Sequence, residues 1–336
     1  MFPIIPAAIV ASLLIGGCAA QKEKKESPAE EKIDRKRNDG QKITASDDNI
    51  YNGAFLQDGK PTLKSVIKYE KSTREPLDFV VFFHAFALGF AFPRDICEML
   101  YKHHKTAAFI KLEPWTWRGG EDITYSLDKI NSGLFDDGIE YFAQGAAKWR
   151  KPVFIAFGHE MNGTWYPWAG NPGNYVLAFK RIVDIFNKTG ATNVTWVWNI
   201  DARFDFKDYY PGDKYVDFIA VDNYGSSHDT VSQLFDNIIT ALRTIYKKPV
   251  IIGETSYDGN TRNGGSQAYK QRYVKDLPKY CKNKKISGFV WFNLDKVEEG
   301  RFKQWSLGWR YRNALKDSIN SIQTCFDKGI KTQSDG

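Results

Sequence analysis

Eight short runs of β-branched and aromatic residues recur along the chain, each separated from the next by a stretch with helical periodicity. The runs are residues 53–56, 79–83, 107–112, 153–157, 194–198, 218–221, 250–252 and 288–292. They are apolar at consecutive positions rather than alternating, so both faces of each strand need cover. Amphipathic stretches over residues 63–69, 94–103, 135–149, 175–187, 231–246, 268–281 and 314–326 supply it. The link after the fifth run, through Tyr209-Tyr210-Pro211-Gly212, is too short to promise a helix. Eight such units favour closure into a (β/α)8 TIM barrel, a single catalytic domain over residues 50–326. No Gly-rich phosphate loop follows the first run, so the open dinucleotide-binding sheet has no support.

The N-terminus belongs to a different class. Residues 2–17 are uncharged and largely apolar and end in Ile15-Gly16-Gly17-Cys18. That run is shorter than the ~20 residues a bilayer-spanning helix needs, and fits the core of a signal peptide. It resembles a bacterial lipoprotein signal over residues 1–18, with a lipobox. The resemblance implies acylation of Cys18 and anchoring at the cell surface, on the outer membrane if the cell is Gram-negative. Residues 19–49 are rich in Lys, Glu, Asp and Ser and cannot bury enough surface to offset their ordering entropy, so a disordered tether is expected there. Residues 327–336 are expected to be a flexible tail.

The net charge of +7 comes from Lys and Arg interleaved with acidic residues, without a basic stripe. No nucleic-acid partner is expected. After Cys18, Cys97, Cys281 and Cys325 remain, an odd number without zinc-type spacing, so no metal or other cofactor is expected. A small buried hydrophobe suits Cys97, and a bridge between Cys281 and Cys325 stays open. Nothing in the sequence calls for an oligomer, and a monomer is expected.

In a barrel of this type the chemistry sits where the strands end. The second strand runs into His84, the third into Glu113-Pro114-Trp115 and the fourth into His159-Glu160. The fifth ends at Trp198-Asn199, the sixth at Asp222-Asn223-Tyr224, the seventh at Glu254 and the eighth at Trp291-Phe292-Asn293. Strands four and seven lie nearly across a barrel from each other, so Glu160 and Glu254 can converge over its mouth. Cleavage of a glycosidic bond needs such a pair, one carboxyl to protonate the leaving oxygen and one to meet the anomeric carbon. Aromatic residues form 15% of the chain, with 10 Trp and 17 Tyr, and offer flat apolar faces with polar edges to sugar rings.

The segment GHEMNGTWYPWAG, residues 158–170, closely resembles the acid/base motif of glycoside hydrolase family 26. In the same order follow or precede it YNGAFL at 51, IKLEPW at 110, TWVWN at 195, YYPGDKYVDFIAVDNY at 209, GETS at 253 and GFVWFN at 288. The resemblance implies a retaining glycosidase with Glu160 as general acid/base and Glu254 as nucleophile. It further implies that His159 and Asn162 orient Glu160 or bind sugar hydroxyls, that Tyr224 bonds to Glu254, and that Trp291 is the platform beneath the sugar being cleaved. Trp165, Trp168 and Trp115 become candidates for neighbouring subsites. Glu113 and His84 are candidates with equally good structural readings, and Trp198 fits core or cleft. Phe292 and Trp196 are expected to face the core, and Trp305 and Trp309 to cover the barrel.

The family contains β-mannanases and enzymes of mixed-linkage β-glucan and β-1,3-xylan. An endo-β-1,4-mannanase-like activity on β-linked polysaccharide is the leading expectation. The lead Ala156-Phe157-Gly158 replaces an Arg-Pro-Leu type of lead usual in mannanases, which leaves the glycan open. A non-catalytic carbohydrate-binding lipoprotein is the alternative of another class, although binding alone does not require both carboxylates.

Overall fold

The computed structural model describes residues 40–45, 50–56, 60–117, 122–258 and 266–294. The signal segment with Cys18, Trp305, Trp309, Cys325, the helix expected over 314–326 and the C-terminal tail lie outside the described residues.

Eight parallel strands close in sequence order into a barrel, each paired with the next and the eighth with the first. They are β1 (Tyr51–Leu56), β2 (Phe79–Ala85), β3 (Ala107–Glu113), β4 (Val153–Phe157), β5 (Val194–Asp201), β6 (Phe218–Asp222), β7 (Val250–Thr255) and β8 (Gly288–Asn293). The helices are α1 (Leu63–Thr73), α2 (Arg94–His104), the short α3 (Leu127–Asn131), α4 (Asp136–Trp149), α5 (Pro172–Lys188), α6 (Val231–Ile245) and α7 (Gln267–Asn283). Only a 3-10 turn at Lys207–Tyr209 connects β5 to β6, as the short link predicted. Local chemistry sets the helix starts. Thr230 and Gln233 form a reciprocal capping box on α6, and α5 opens with Asn171 capping and Pro172 in the first turn.

Alternation along the strands divides the core in two. Ile110, Leu112, Ile155, Phe157, Trp196, Trp198, Ile219 and Ile252 join the large cluster between sheet and helices. Phe79, Val81, Phe109, Phe154, Ala156, Val197, Phe218, Ala220, Ile251 and Val290 fill the barrel interior. That even split explains why the strands read as continuous apolar runs. Trp198 is a core residue, fully buried on the helix side.

One boundary moves. Residues 40–45, assigned by composition to the tether, pack against the barrel: Ile43 joins the interior cluster, its amide donates to Thr195 Oγ1 at 2.8 Å, and Lys42 pairs with Asp217 at 2.7 Å. A few apolar contacts within a charged stretch suffice to dock it, which bulk composition does not reveal. Cys97 and Cys281 are buried free thiols, and burial pushes both upward in pKa. Among the described residues no helix is long and apolar enough to cross a membrane.

Candidate active site

Interior positions change character toward the strand ends. On β3 the interior face carries Phe109, then Lys111, then Glu113; on β6 it carries Phe218, Ala220 and Asp222. Strict alternation on β7 would place Ile251 and Gly253 inside and turn Glu254 outward with Ile252. Instead β7 holds one extra residue against both neighbours, with Val221 opposite Ile252 but Asp222 opposite Glu254. This bulge turns Glu254 into the barrel mouth. A Cβ on Gly253 would lie 2.5 Å from Asp222 Oδ1 and 2.8 Å from the Ala220 Cβ, so the bulge depends on glycine.

Glu160 arrives by another route. After β4 the backbone enters the left-handed region at Gly158 (φ 53°) and again at Glu160 (φ 51°), and the Glu160 amide donates to Asn199 O at 2.8 Å. A left-handed non-glycine residue carries strain, of the kind concentrated at functional sites. Here it aims the carboxyl at Trp165, whose Nε1 donates to Glu160 Oε2 at 2.9 Å. Trp165 is braced edge-on by Phe204 (5.3 Å) and by the Arg203 guanidinium, 5.5 Å from its ring centre. Arg203 is in turn held to Asp201 at 2.7 Å.

Carboxylate oxygens of Glu160, Asp222 and Glu254 all lie within 4.8 Å of one another. That close approach fits the ~5–5.5 Å set of a retaining pair better than the ~6.5–9.5 Å that leaves room for a water in an inverting one. Three clustered acids could hold a cation, and the cation present among them is the Lys111 ammonium, bonded to Asp222 Oδ2 at 3.1 Å and to Glu254 Oε1. The Tyr224 hydroxyl donates to the other Glu254 oxygen, Oε2. A second cluster with ligand-type atoms, Glu70, His103 and His104, sits on α1 and α2 outside this mouth.

Electrostatics separates the acids. Burial raises the Glu160 carboxyl to about 7, reinforced by the charges of Glu254 and Asp201 and opposed by Lys111 and the Trp165 bond. Glu113 is raised to about 8 by burial, against the lowering effect of its bond from Trp117 Nε1 at 2.5 Å. For Lys111, burial pulls downward, but Asp222 and Glu254 outweigh it and the ammonium is held above its ordinary range. His159 is pushed well below its ordinary range by burial and by Lys111, so it is neutral.

The expected site residues fall into two groups. Glu160, Glu254, Tyr224, Trp165, His159 and Glu113 gather at the mouth, where His159 Nε2 meets the Tyr166 hydroxyl at 2.9 Å and its Nδ1 lies 3.9 Å from Glu113. The others are supports. Trp291 is 2% exposed and belongs to the helix-side cluster, while Phe292 points inward, stacked on Phe55 at 4.3 Å and edge-on to Tyr224. The two exchange their expected roles because Val290 is interior and alternation makes Phe292 its partner on that face. His84 faces the helix layer, bonded to Gly89 O at 3.0 Å and packed on Phe142 of α4. Trp168 is 1% exposed, donates to His159 O and stacks behind Tyr166, with Trp115 edge-on to both. Asn162 touches no carboxylate of the pair; it bonds to Asp201 N and O and fastens the β4 loop to the end of β5. Lys111, Asp201, Tyr166, Phe204 and the inward Phe83 have no role in the sequence expectation, and Asp222 enters it only as the residue at the end of the sixth strand. For Lys111 and Asp222 the signal was present, since both share strand parity with interior phenylalanines.

Residues 114–259 match the profile of Glycosyl hydrolase family 26. Endoglucanase H of Acetivibrio thermocellus is 29% identical over 264 residues, 72% of this chain and 28% of that protein. A mannan endo-1,4-beta-mannosidase of Bacillus subtilis is 32% identical over 160 residues, 44% of this chain and 40% of its own length. This chain therefore spans well under half of the curated relatives it matches. Among solved structures, a modular endo-beta-1,4-mannanase from Cellulomonas fimi superposes with a TM-score of 0.59 at 17% identity, over 83% of this chain and 71% of that one, a likeness of fold. The matched segment, 114–259, contains both Glu160 and Glu254, and it lies within the closed barrel, so the part of the chain that is similar to glycosyl hydrolase family 26 is the part that carries the site.

Proposed function

We propose that this protein is a retaining endo-glycosidase of β-linked polysaccharide, of the β-1,4-mannanase kind. One observation carries the reading: Glu160 and Glu254 face each other within 4.8 Å in an aromatic mouth, one raised to about 7 and the other clamped by Lys111 and Tyr224. Protonated Glu160 delivers its proton to the glycosidic oxygen while Glu254 attacks the anomeric carbon. The leaving chain departs, and an ester links sugar to Glu254. Glu160, now a carboxylate, takes a proton from water, whose oxygen displaces Glu254 and restores the original configuration. Because the first step needs Glu160 protonated, activity falls as pH rises through about 7.

A second reading, cleavage of a β-glucan, is favoured by the longer alignment with Endoglucanase H, 264 residues against 160 for the mannosidase, and the family resemblance makes mixed-linkage β-glucan the form to test. The family resemblance also admits β-1,3-xylan. Challenging the protein with mannan, galactomannan, mixed-linkage glucan and β-1,3-xylan, and assaying new reducing ends, tests both. Release of short oligosaccharides from mannan supports the first reading and release from mixed-linkage glucan alone supports the second. Glycan binding without any new reducing ends would leave only a carbohydrate-binding role.

The lipobox ending at Cys18 supports a lipid-anchored, cell-surface location and action there on an extracellular glycan. Incorporation of labelled fatty acid into the wild-type protein, and its loss in Cys18→Ala, tests the anchor.

A further inference from the structure

Lys111 is the one cation buried within the barrel interior among the described residues. It stands opposite Phe83 on β2 and Ala156 on β4, fully buried, with its ammonium 5.8 Å from the Phe83 ring centre. A lysine taken out of water must be compensated, and two carboxylates from two different strands do so, Asp222 of β6 and Glu254 of β7. Hydrophobic side chains of similar volume would fill the same space without this cost, so the ammonium is placed for its charge rather than for stability.

The arrangement is asymmetric. Glu254 is held at both oxygens, by Lys111 at Oε1 and Tyr224 at Oε2, whereas among the described residues Glu160 has a single donor, Trp165, at Oε2. We propose that Lys111 is a positioning residue that, with Asp222 as its second counter-charge, clamps Glu254 as an anion facing the cleft and leaves Glu160 as the carboxyl that carries the transferable proton. The inference rests on the glycosidase reading and adds to it the device that assigns the two roles. The charged and titratable groups around Lys111 are Asp222, Glu254, Glu160, Glu113 and His159. Those around Glu160 are Glu254, Asp201, Asp222, Arg203, Tyr166, Tyr224 and Lys111. Lys111 lowers the Glu160 carboxyl. Asp222 is raised by its own burial and drawn down by Lys111; an oxygen of it lies within 4.8 Å of Glu160, and as the anion paired with Lys111 it acts on Glu160 in the opposite sense by Coulomb repulsion, so loss of each moves the proton in opposite directions.

Lys111→Met keeps the chain length and removes the charge. Its kcat on the cleaved glycan is expected to fall about 100-fold, with KM within about three-fold and the basic limb of the pH profile displaced upward. Asp222→Asn displaces that limb downward, and the double variant Lys111→Met/Asp222→Asn returns it toward wild type. A merely structural lysine would change stability and leave the limb in place. A basic limb in Lys111→Met that coincides with wild type, or a loss confined to KM, overturns the proposal. Should Lys111→Met fail to fold by circular dichroism, the sign of the Asp222→Asn displacement decides: downward supports the clamp, unmoved or upward overturns it. Carbon-13 titration of the Glu160 carboxyl, assigned with Glu160→Gln, reads the same displacements without turnover. A protein inactive on every glycan but with displaced titration rejects the glycosidase reading and retains the clamp. An active protein with unmoved titration does the reverse.

Discussion

The lower barrel interior is a ring of phenylalanines, with Phe154 meeting Phe79, Phe109 and Phe218 at centroid distances of 5.4–5.8 Å. Further along the same strands, the interior positions are Lys111, Glu113, Asp222 and Glu254. Both layers are buried, yet one gains from burial and the other is penalised by it. Aromatic pairs contribute ~0.5–1.5 kcal/mol each beyond their buried area, while ions removed from water cost several kcal/mol unless paired. The lower layer is built for stability. The upper layer accepts desolvation because chemistry needs an acid that stays protonated near neutral pH beside a carboxylate that does not.

Substitutions should therefore separate cleanly by layer. The largest effect is expected for Glu254→Ala, which removes the carboxylate assigned to the covalent step: turnover drops by several orders of magnitude, on the order of 10⁴-fold or more, with glycan binding retained in equilibrium titrations. Turnover near wild type would place the nucleophile elsewhere. Next comes Phe154→Ala in the lower ring, expected to cost about 3–5 kcal/mol in denaturant unfolding while kcat per folded molecule stays within a few-fold. A kcat collapse with unchanged stability would erase the distinction between the layers.

The smallest effect sharpens it. Glu113 is raised to about 8 by burial, so its folded-state value lies above that of an unfolded glutamate. Its contribution to stability is complete below about 4.5 and is lost as pH rises toward 8. In Glu113→Gln the decline of Tm between pH 5 and 8 should be shallower than in wild type, by on the order of a few °C. An equal or steeper decline would show that burial of this carboxyl does not tax the upper layer.

The same contrast explains what the sequence discloses. Strands covered on both faces leave continuous apolar runs, so all eight were legible, and the acids that directly follow runs four and seven drew attention to themselves. Phase was harder. Glu254 faces the mouth only through a bulge at Gly253, a local insertion that no periodicity announces. At the end of β8 residue type points to Trp291, whereas counting from the interior Val290 puts Phe292 on the inner face. Lys111 lies within the IKLEPW motif, where nothing marks it out, yet its parity with Phe109 places it inside. Asn162, Trp168 and Tyr166 belong to an aperiodic loop, where only tertiary contacts tell a support from a subsite.

The pair itself is tested most directly by the anomeric form of the first product. With Glu160 and Glu254 oxygens within 4.8 Å, proton NMR during the first minutes of hydrolysis should show the β-anomer of the newly formed reducing end appearing before mutarotation supplies the α-anomer. Initial appearance of the α-anomer would mean a single inverting displacement by water, and would contradict the assignment of Glu254 as nucleophile.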